Sequence, residues 1–161
     1  MRRAKPEGPP RASAYEAAVR YLAGRQHSVA EIRRHLHSKR HDEAAIDGAI
    51  EKLRAQRYVD DLEFARYWIE RRSRFRPKGD RVLVSELARM GVSRDTIDAA
   101  MGEAAAETEP DRARRAIARP ITRWKALEPP ERKRKIHAYL AARGFDYDVI
   151  DEVIARPDLN T

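Results

Sequence analysis

The feature that most constrains the fold is an apolar spacing that occurs three times along the chain. In its first occurrence, Ile32, Leu36, Ile46 and Ile50 are separated by 4, 10 and 4 residues. The same three steps recur twice, at Leu83, Leu87, Ile97 and Met101 and at Ile136, Leu140, Ile150 and Ile154. Apolar residues four apart indicate helices. The recurrence predicts an internal repeat of roughly 50 residues with three helices in each copy.

Residues that begin and end helices repeat in the same register. Asp42, Ser93 and Asp146 each precede a repeat isoleucine by four residues, which is the place of an N-cap. Gly91 and Gly144 follow the preceding helices, where a left-handed residue is favoured. Units this small bury little apolar surface on their own, and they stabilise one another by packing against their neighbours. We therefore expect an all-α fold of three tandem three-helix repeats that form an elongated, curved array.

The repeat boundaries follow from the caps and from composition. We predict repeats at residues 13–59, 60–104 and 105–156, between a flexible basic tail at 1–12 and a frayed C-terminus at 157–161. Asp60 and Glu63 form a capping box that opens the second repeat, and Ser28 with Glu31 forms another inside the first. In the third repeat, Pro120 should kink or shorten a helix predicted near 109–124.

Charge and cysteine content restrict the partners and the compartment. The formal net charge is +8, which favours an anionic partner, either nucleic acid or an acidic groove on a protein. The chain has no cysteine, so disulfides and thiolate metal sites are excluded and a reducing cytoplasm is indicated. No apolar run approaches the ~20 residues that a membrane span needs. We expect a cytoplasmic monomer without a membrane segment.

Two segments concentrate the cations, and we predict that both contact the partner. The first patch is Arg71, Arg72, Arg74, Arg76, Lys78 and Arg81. The second lies in residues 111–135, which hold ten cations and three acids, and its predicted contacts are Arg123, Arg132, Lys133, Arg134 and Lys135. Such clusters neutralise phosphates or steer association with an acidic protein surface. Phe75 stands between two arginines, as an exposed contact or as a core residue.

Motifs of catalysis are absent from the sequence. It has no P-loop, no G-x-S-x-G and no dinucleotide fingerprint. His37 and His41 lie four residues apart, as a zinc pair would, yet no matching ligand shell is evident. Acidic residues on the predicted third helices disfavour a helix that reads the major groove. We predict a protein that is not an enzyme and has no cofactor or metal. A metal-dependent hydrolase using Asp60, Asp61 and histidines is the weakest alternative.

Several short motifs resemble the RecX family of regulatory proteins, the bacterial modulators of the RecA recombinase. They are Tyr21-Leu22-x-x-Arg25, Ser28-x-x-Glu31-Ile32 with Leu36, Asp60-Asp61-x-x-Phe64-Ala65, the Arg71/Arg72 to Lys78-Gly79 segment, Glu86-Leu87 and Gly91-Val92. The resemblance covers residues 14–104 well, and the last repeat matches mainly in its apolar skeleton. Pro77 and Asp80, beside the Lys78-Gly79 pair, depart from the family pattern.

The resemblance implies a function as well as a fold. A protein of this kind is expected to lie in the groove of the RecA–DNA filament and to block its extension. It is also expected to inhibit ATP hydrolysis, strand exchange and co-protease activity towards the LexA repressor. DNA, single- or double-stranded, would be a weak, sequence-independent partner. The alternative is a helical repeat protein that binds nucleic acid through phosphate alone, without any recombinase.

Overall fold

The computed structural model describes residues 12–103 and 107–156, and these residues form helices joined by turns, with no strand among them. The all-α prediction is therefore confirmed. The predicted basic tail, apart from Ala12, and the predicted frayed C-terminus lie outside the described residues.

The helices follow the predicted order. The first repeat contains α1 (Ala14–Leu22), α2 (Val29–Ser38) and α3 (Glu43–Ala55). The second contains α4 (Asp61–Phe75), α5 (Asp80–Arg89) and α6 (Arg94–Glu103). The third contains α7 (Glu109–Ile117), α8 (Ile121–Trp124), α9 (Pro129–Ala141) and α10 (Tyr147–Ile154).

The chain divides into two compact units, and each repeat has its own core. One unit ends at Asp60 and holds the first repeat, in which α1 packs on α2 and α3. The other begins at Asp61 and holds the second and third repeats. The residues of the threefold spacing are buried in the three cores, except that Met101 and Ile154 are partly exposed. The apolar pattern therefore selects the helix faces that meet.

The predicted N-caps occupy the expected positions, and two of the three form the expected hydrogen bond. The Asp42 carboxylate accepts from the Ala45 amide at 2.8 Å, and the Ser93 hydroxyl accepts from the Thr96 amide at 3.3 Å. Asp146 stands at the N-cap of α10, but its side chain does not cap the helix. That part of the prediction is wrong. Ser28 and Glu31 form the predicted capping box, which closes both of its hydrogen bonds.

A left-handed residue follows the next-to-last helix of each repeat. Gly91 and Gly144 have φ of 83° and 79°, as predicted, and Arg40 takes the same conformation in the first repeat with φ of 62°. In each case the next amide donates to a leucine carbonyl five residues earlier, at 3.1–3.3 Å: His41 to Leu36, Val92 to Leu87 and Phe145 to Leu140. This is the Schellman arrangement. Arginine adopts it at a steric cost that glycine avoids.

Pro120 divides the predicted first helix of the third repeat. Helix α7 ends at Ile117, and Pro120 becomes the N-cap of the four-residue α8. Proline has no amide hydrogen and cannot continue the hydrogen-bond ladder of the preceding turn. The prediction of a shortened helix is confirmed, and the third repeat consequently has four helices in place of three.

Two glycines allow the second and third repeats to meet backbone to backbone. The Gly79 amide donates to the Arg143 carbonyl at 3.1 Å. A Cβ atom on Gly79 would overlap the carbonyl group of Gly144, and one on Gly144 would overlap the Val82 side chain. Both positions therefore require glycine on steric grounds, in addition to the positive φ of Gly144.

A buried arginine fastens the same junction. Arg112 on α7 is only 4% exposed and forms an ion pair with the Asp80 carboxylate at the start of α5. Its guanidinium also donates to the carbonyl of Glu107 at 3.0 Å. The Glu109 carboxylate accepts from the Asp80 amide at 2.9 Å. Burial raises the pKa of Asp80 and of Glu109, and the nearby Asp146 adds to both shifts.

Candidate functional site

The first predicted patch surrounds the end of α4 and the turn into α5. Arg71, Arg74, Arg76 and Arg81 are exposed, and Lys78 is half-buried. The turn forms because Pro77 cannot donate an amide to continue α4, while Gly79 allows the close approach to the third repeat. The segment therefore presents cations at a fixed junction between two repeats of the same unit.

Arg72 differs from the rest of this patch because it has partners inside the repeat. Its guanidinium makes two hydrogen bonds of 2.8 Å to the carboxylate of Glu86 on α5. The Trp68 indole donates to the same carboxylate at 2.8 Å, and the Arg72 guanidinium lies 4.7 Å from the centre of the Trp68 ring. Arg72 thus joins α4 to α5, and we leave it out of the proposed contact surface.

A groove opens beside this segment, between the second and third repeats. It has a volume of about 730 Å³ and is lined by six cations together with aromatic, proline and alanine side chains. The cations are Arg74, Arg76 and Lys78 from the second repeat and Arg115, Arg119 and Arg143 from the third. We call it the junction groove. No carboxylate is among its lining residues.

Most of the groove cations lack an acidic partner. Arg115 pairs with Glu107 at 3.0 Å and donates to the carbonyl oxygen of Ser73. Across residues 12–103 and 107–156, no ion pair involves the other five cations of the groove, namely Arg74, Arg76, Lys78, Arg119 and Arg143. Like charges that face a shared concave surface raise the local concentration of anions.

Aromatic rings accompany the cations. Phe75 is 70% exposed, and the Arg74 guanidinium lies 5.4 Å from the centre of its ring. Phe75 is thus an exposed residue, which was one of the two sequence-based alternatives. Tyr139 lines the groove with the Arg143 guanidinium 3.4 Å from its ring centre, and Trp124 meets Tyr139 edge-on, with 5.2 Å between the ring centres.

The second predicted patch lies on α8 and α9, away from the groove lining. Arg123, Lys133, Arg134 and Lys135 are exposed, as a contact surface requires. Arg132 is different, because only 4% of it is exposed. It lies four residues before the buried Ile136, so it points into the core of its repeat. We exclude Arg132 from the proposed contact surface.

Three groove residues were missed by the sequence analysis: Arg115, Arg119 and Arg143. They lie on or beside α7, α8 and α9, and they face the second repeat where the Gly79–Gly144 contact and the Arg112–Asp80 ion pair join the two repeats. No spacing within the third repeat distinguishes them from ordinary exposed arginines. The high arginine content of residues 111–135 is the one sequence signal that covers two of them.

The histidines of the first repeat form an aromatic stack. The Tyr21 ring stacks on His27 at 3.8 Å and on His35 at 4.0 Å between ring centres. His27 is buried, and its Nδ1 lies 3.3 Å from the Glu31 carboxylate. Burial lowers the pKa of His27, and Arg25 lowers it further.

The described part of the chain contains neither a candidate metal site nor a candidate membrane-spanning helix. Among the described residues, no group of three or more His, Asp or Glu side chains is arranged to hold a metal ion. The alternative of a hydrolase using Asp60, Asp61 and histidines therefore lacks a metal-binding geometry within those residues. No described helix combines the length and the apolar character needed to cross a bilayer.

Comparison with known families matches all three repeats. Residues 14–53 match the model described as "RecX, first three-helix domain", residues 60–101 match the second such domain, and residues 107–154 match the third. The fold is similar to the crystal structure of RecX from Lactobacillus salivarius, with a TM-score of 0.78 over 91% of this chain and 95% of that one at 23% identity.

Curated relatives agree with the family models. A protein of Chlorobium phaeobacteroides named Regulatory protein RecX is 32% identical over 143 residues, which cover 88% of this chain and 91% of that protein. Another of the same name, from Leuconostoc mesenteroides, is 28% identical over 145 residues, and the match spans only 54% of its length. The chain thus spans about half the length of some relatives and nearly all of others. This chain belongs to the RecX family of regulatory proteins.

Proposed function

We propose that this protein is a non-enzymatic regulator that binds in the groove of the RecA–DNA filament and blocks filament extension. ATP hydrolysis, strand exchange and LexA co-protease activity by the recombinase are inhibited as a consequence. The protein acts in the cytoplasm as a monomer, and DNA is a weak, sequence-independent second partner. The observation that carries the proposal is the match of all three repeats to RecX domains.

The charge distribution of the second unit supports this proposal. Exposed cations occur on α4, α5, α8 and α9, at Arg71, Arg81, Arg123, Lys133 and Arg134 among others. Such cations can neutralise the phosphates of the bound DNA or pair with acidic side chains of a protein filament. Complementary charge accelerates the encounter and selects the partner, more than it increases affinity.

The test is the ATPase activity of RecA on single-stranded DNA, measured with increasing amounts of this protein. We expect a progressive loss of ATP hydrolysis, because blocked filament extension leaves fewer active protomers on the DNA. An unchanged rate at saturating protein contradicts the proposal. An unrelated ATPase that also depends on single-stranded DNA serves as the control. Its rate should stay the same, since the proposed target is the filament and not the bare DNA.

The second candidate function is a nucleic-acid-binding repeat protein that needs no recombinase. The observation that favours it is the junction groove, where five cations have no ion-pair partner within residues 12–103 and 107–156 and two aromatic rings are near. Under this function the unrelated ATPase would be inhibited as strongly as RecA, because both enzymes compete with this protein for the same strand. The control reaction therefore separates the two candidates.

A further inference from the structure

We propose that the junction groove binds the sugar-phosphate backbone of single-stranded nucleic acid, with Phe75 as a stacking platform for a base at its mouth. This inference deepens the proposed function and rests on it for its biological setting. The proposed binding site is distinct from the exposed cationic patch on α8 and α9. It assigns the strand to one groove, built by two repeats that the Gly79–Gly144 contact holds together.

The first argument is the sign and location of the charge. Three cations project from the second repeat and three from the third, and no carboxylate lines the space between them. Among the residues that the structure describes, Arg115 is the one groove cation with an ion pair, which it forms with Glu107. Like charges held close together repel one another, and this repulsion destabilises the protein without a ligand. A bound polyanion reduces the repulsion. The ligand is therefore a molecule with several negative charges in a row.

The second argument is the exposed aromatic ring. Burying a phenylalanine side chain stabilises a folded protein, yet Phe75 is 70% exposed at the end of α4. It lies beside Arg74 and Arg76, both of which line the groove. A cationic groove that follows a backbone, with an aromatic ring on which bases stack, is the arrangement used to bind single strands. An acidic peptide needs the cations but has no comparable use for the ring.

The third argument is the immobility of the groove walls. Arg115 is fixed by Ser73 and Glu107, and Arg143 donates to the Tyr139 carbonyl at 3.2 Å while its guanidinium covers the Tyr139 ring. Side chains that are already ordered lose little conformational entropy when a ligand arrives. Arg76 and Arg119 have no such contacts in the described residues, so they can adjust to individual phosphates.

The experiment measures binding of the full chain to a fluorescent oligothymidine of about 16 nucleotides, without recombinase, as a function of salt. The logarithm of the binding constant for a single strand falls linearly with the logarithm of the salt concentration. The slope of this line is about 0.7 for each phosphate that the protein neutralises. The double variant Arg76→Ala/Arg119→Ala should therefore reduce the slope by about 1.4. The matched control, Arg34→Ala/Arg54→Ala, removes the same charge from exposed arginines of the first unit, outside both predicted patches, and should leave the slope nearly unchanged.

A second variant tests the ring. Phe75→Ala should weaken binding to the single strand roughly tenfold, since the variant loses the ring on which one base stacks. Binding to a duplex of the same length should change much less, because its bases are already stacked. If the two charge variants reduce the salt slope by equal amounts, the assignment of the strand to the groove is overturned. A Phe75→Ala variant that binds the single strand as tightly as the parent overturns the role of the ring. If inorganic tripolyphosphate displaces the strand as well as unlabelled oligothymidine does, the groove binds polyphosphate in general and the proposal is also overturned.

The strand-binding experiment and the RecA ATPase test can fail separately. If the groove variants bind the strand normally while the parent inhibits RecA, this inference fails and the proposed function stands. If the parent binds the strand through the groove but leaves RecA unaffected at saturation, the proposed function fails and this inference stands.

Discussion

The amide of Gly79 and the carbonyl of Arg143 form a 3.1 Å hydrogen bond that joins the second repeat to the third. The contact requires glycine, because a Cβ atom at residue 79 would overlap the backbone of Gly144. The Lys78-Gly79 pair, first noted as part of a basic segment, therefore has a structural role. It positions the cations on either side of it.

Replacing Gly79 by alanine should destabilise the second unit by several kcal/mol, since backbone atoms that cannot move aside occupy the space. Both tryptophans, Trp68 and Trp124, lie in that unit, so tryptophan fluorescence during urea unfolding reports on it selectively. The matched control is Gly102→Ala in α6 of the same unit, where the added Cβ has nothing within 4 Å. Alanine there should stabilise the helix by up to about 1 kcal/mol. A neutral Gly79→Ala variant would contradict the geometry.

Replacing Arg112 by methionine should cost about 3 kcal/mol in the unfolding free energy of the second unit. The substitution leaves Asp80 and Glu109 charged and half-buried without their cation. The deficit should shrink as the pH falls, because the folded variant then takes up protons on carboxyls whose pKa burial already raises.

Arg119→Met is the control for this substitution, because Arg119 is exposed and belongs to no ion pair in the described part of the chain. Its effect on stability should be within about 0.5 kcal/mol. Equal effects of the two methionine variants would show that the Arg112 ion pair does not stabilise the junction.

Replacing Arg40 by glycine should stabilise the first unit by about 1 kcal/mol, since arginine adopts its φ of 62° at a steric cost. The second and third repeats already have glycine at this position. Arg40→Ala removes the same charge but keeps the Cβ atom, so it should give no comparable gain. Circular dichroism during thermal unfolding measures both variants. A gain from alanine equal to that from glycine would assign the effect to charge.

Stability of the first unit should decrease as the pH falls below the ordinary histidine value of 6.5. Burial lowers the pKa of His27, so the unfolded chain takes up a proton before the folded protein does. Stability is therefore complete above 6.5 and is lost on the acidic side. Arg25 also disfavours the charged ring, Glu31 favours it, and the pKa of the stacked His35 is lowered by its burial as well.

The variant His27→Phe keeps an aromatic ring against Tyr21 and removes the titrating group. Its unfolding free energy, from urea titrations at several pH values above the range in which carboxyls titrate, should depend less on pH than that of the parent. Identical pH dependence in both proteins would show that His27 does not carry the effect.

Reversing charge should weaken filament binding without changing helix content. Arg74→Glu/Arg76→Glu alters the groove, and Lys133→Glu/Arg134→Glu alters α9, with the same change of net charge. Co-sedimentation with RecA filaments measures binding, and circular dichroism measures helix content. If both variants bind like the parent, the assignment of the two contact surfaces is wrong.

Local features of this chain could be predicted from its sequence, because they depend on residues close together. The apolar spacing located the helix faces, and Gly91, Gly144 and Pro120 located helix ends. Contacts between repeats could not be predicted, because they depend on which faces meet after folding. Arg112 belongs to the cationic segment 111–135 and Arg132 is one of its predicted contacts, yet both side chains are buried. Arg132 continues the buried stripe of Ile136 and Leu140 at four-residue intervals. That spacing was the available signal.

The groove was the least predictable feature. Arg74 and Arg76 belong to the predicted basic segment, but Arg115, Arg119 and Arg143 join them from separate elements. Their meeting depends on the Gly79–Gly144 contact, which has no signature in helix periodicity. Charge counting identified cationic segments of the chain and could not identify the concave surface that several of their residues share.

The growth of fluorescent RecA filaments on single DNA molecules tests the central claim most directly. Growth from preformed nuclei is followed after this protein is added at saturating concentration. We predict that elongation stops or slows severely. Elongation at the rate seen without the protein would contradict the proposal that this chain regulates recombination by blocking filament extension.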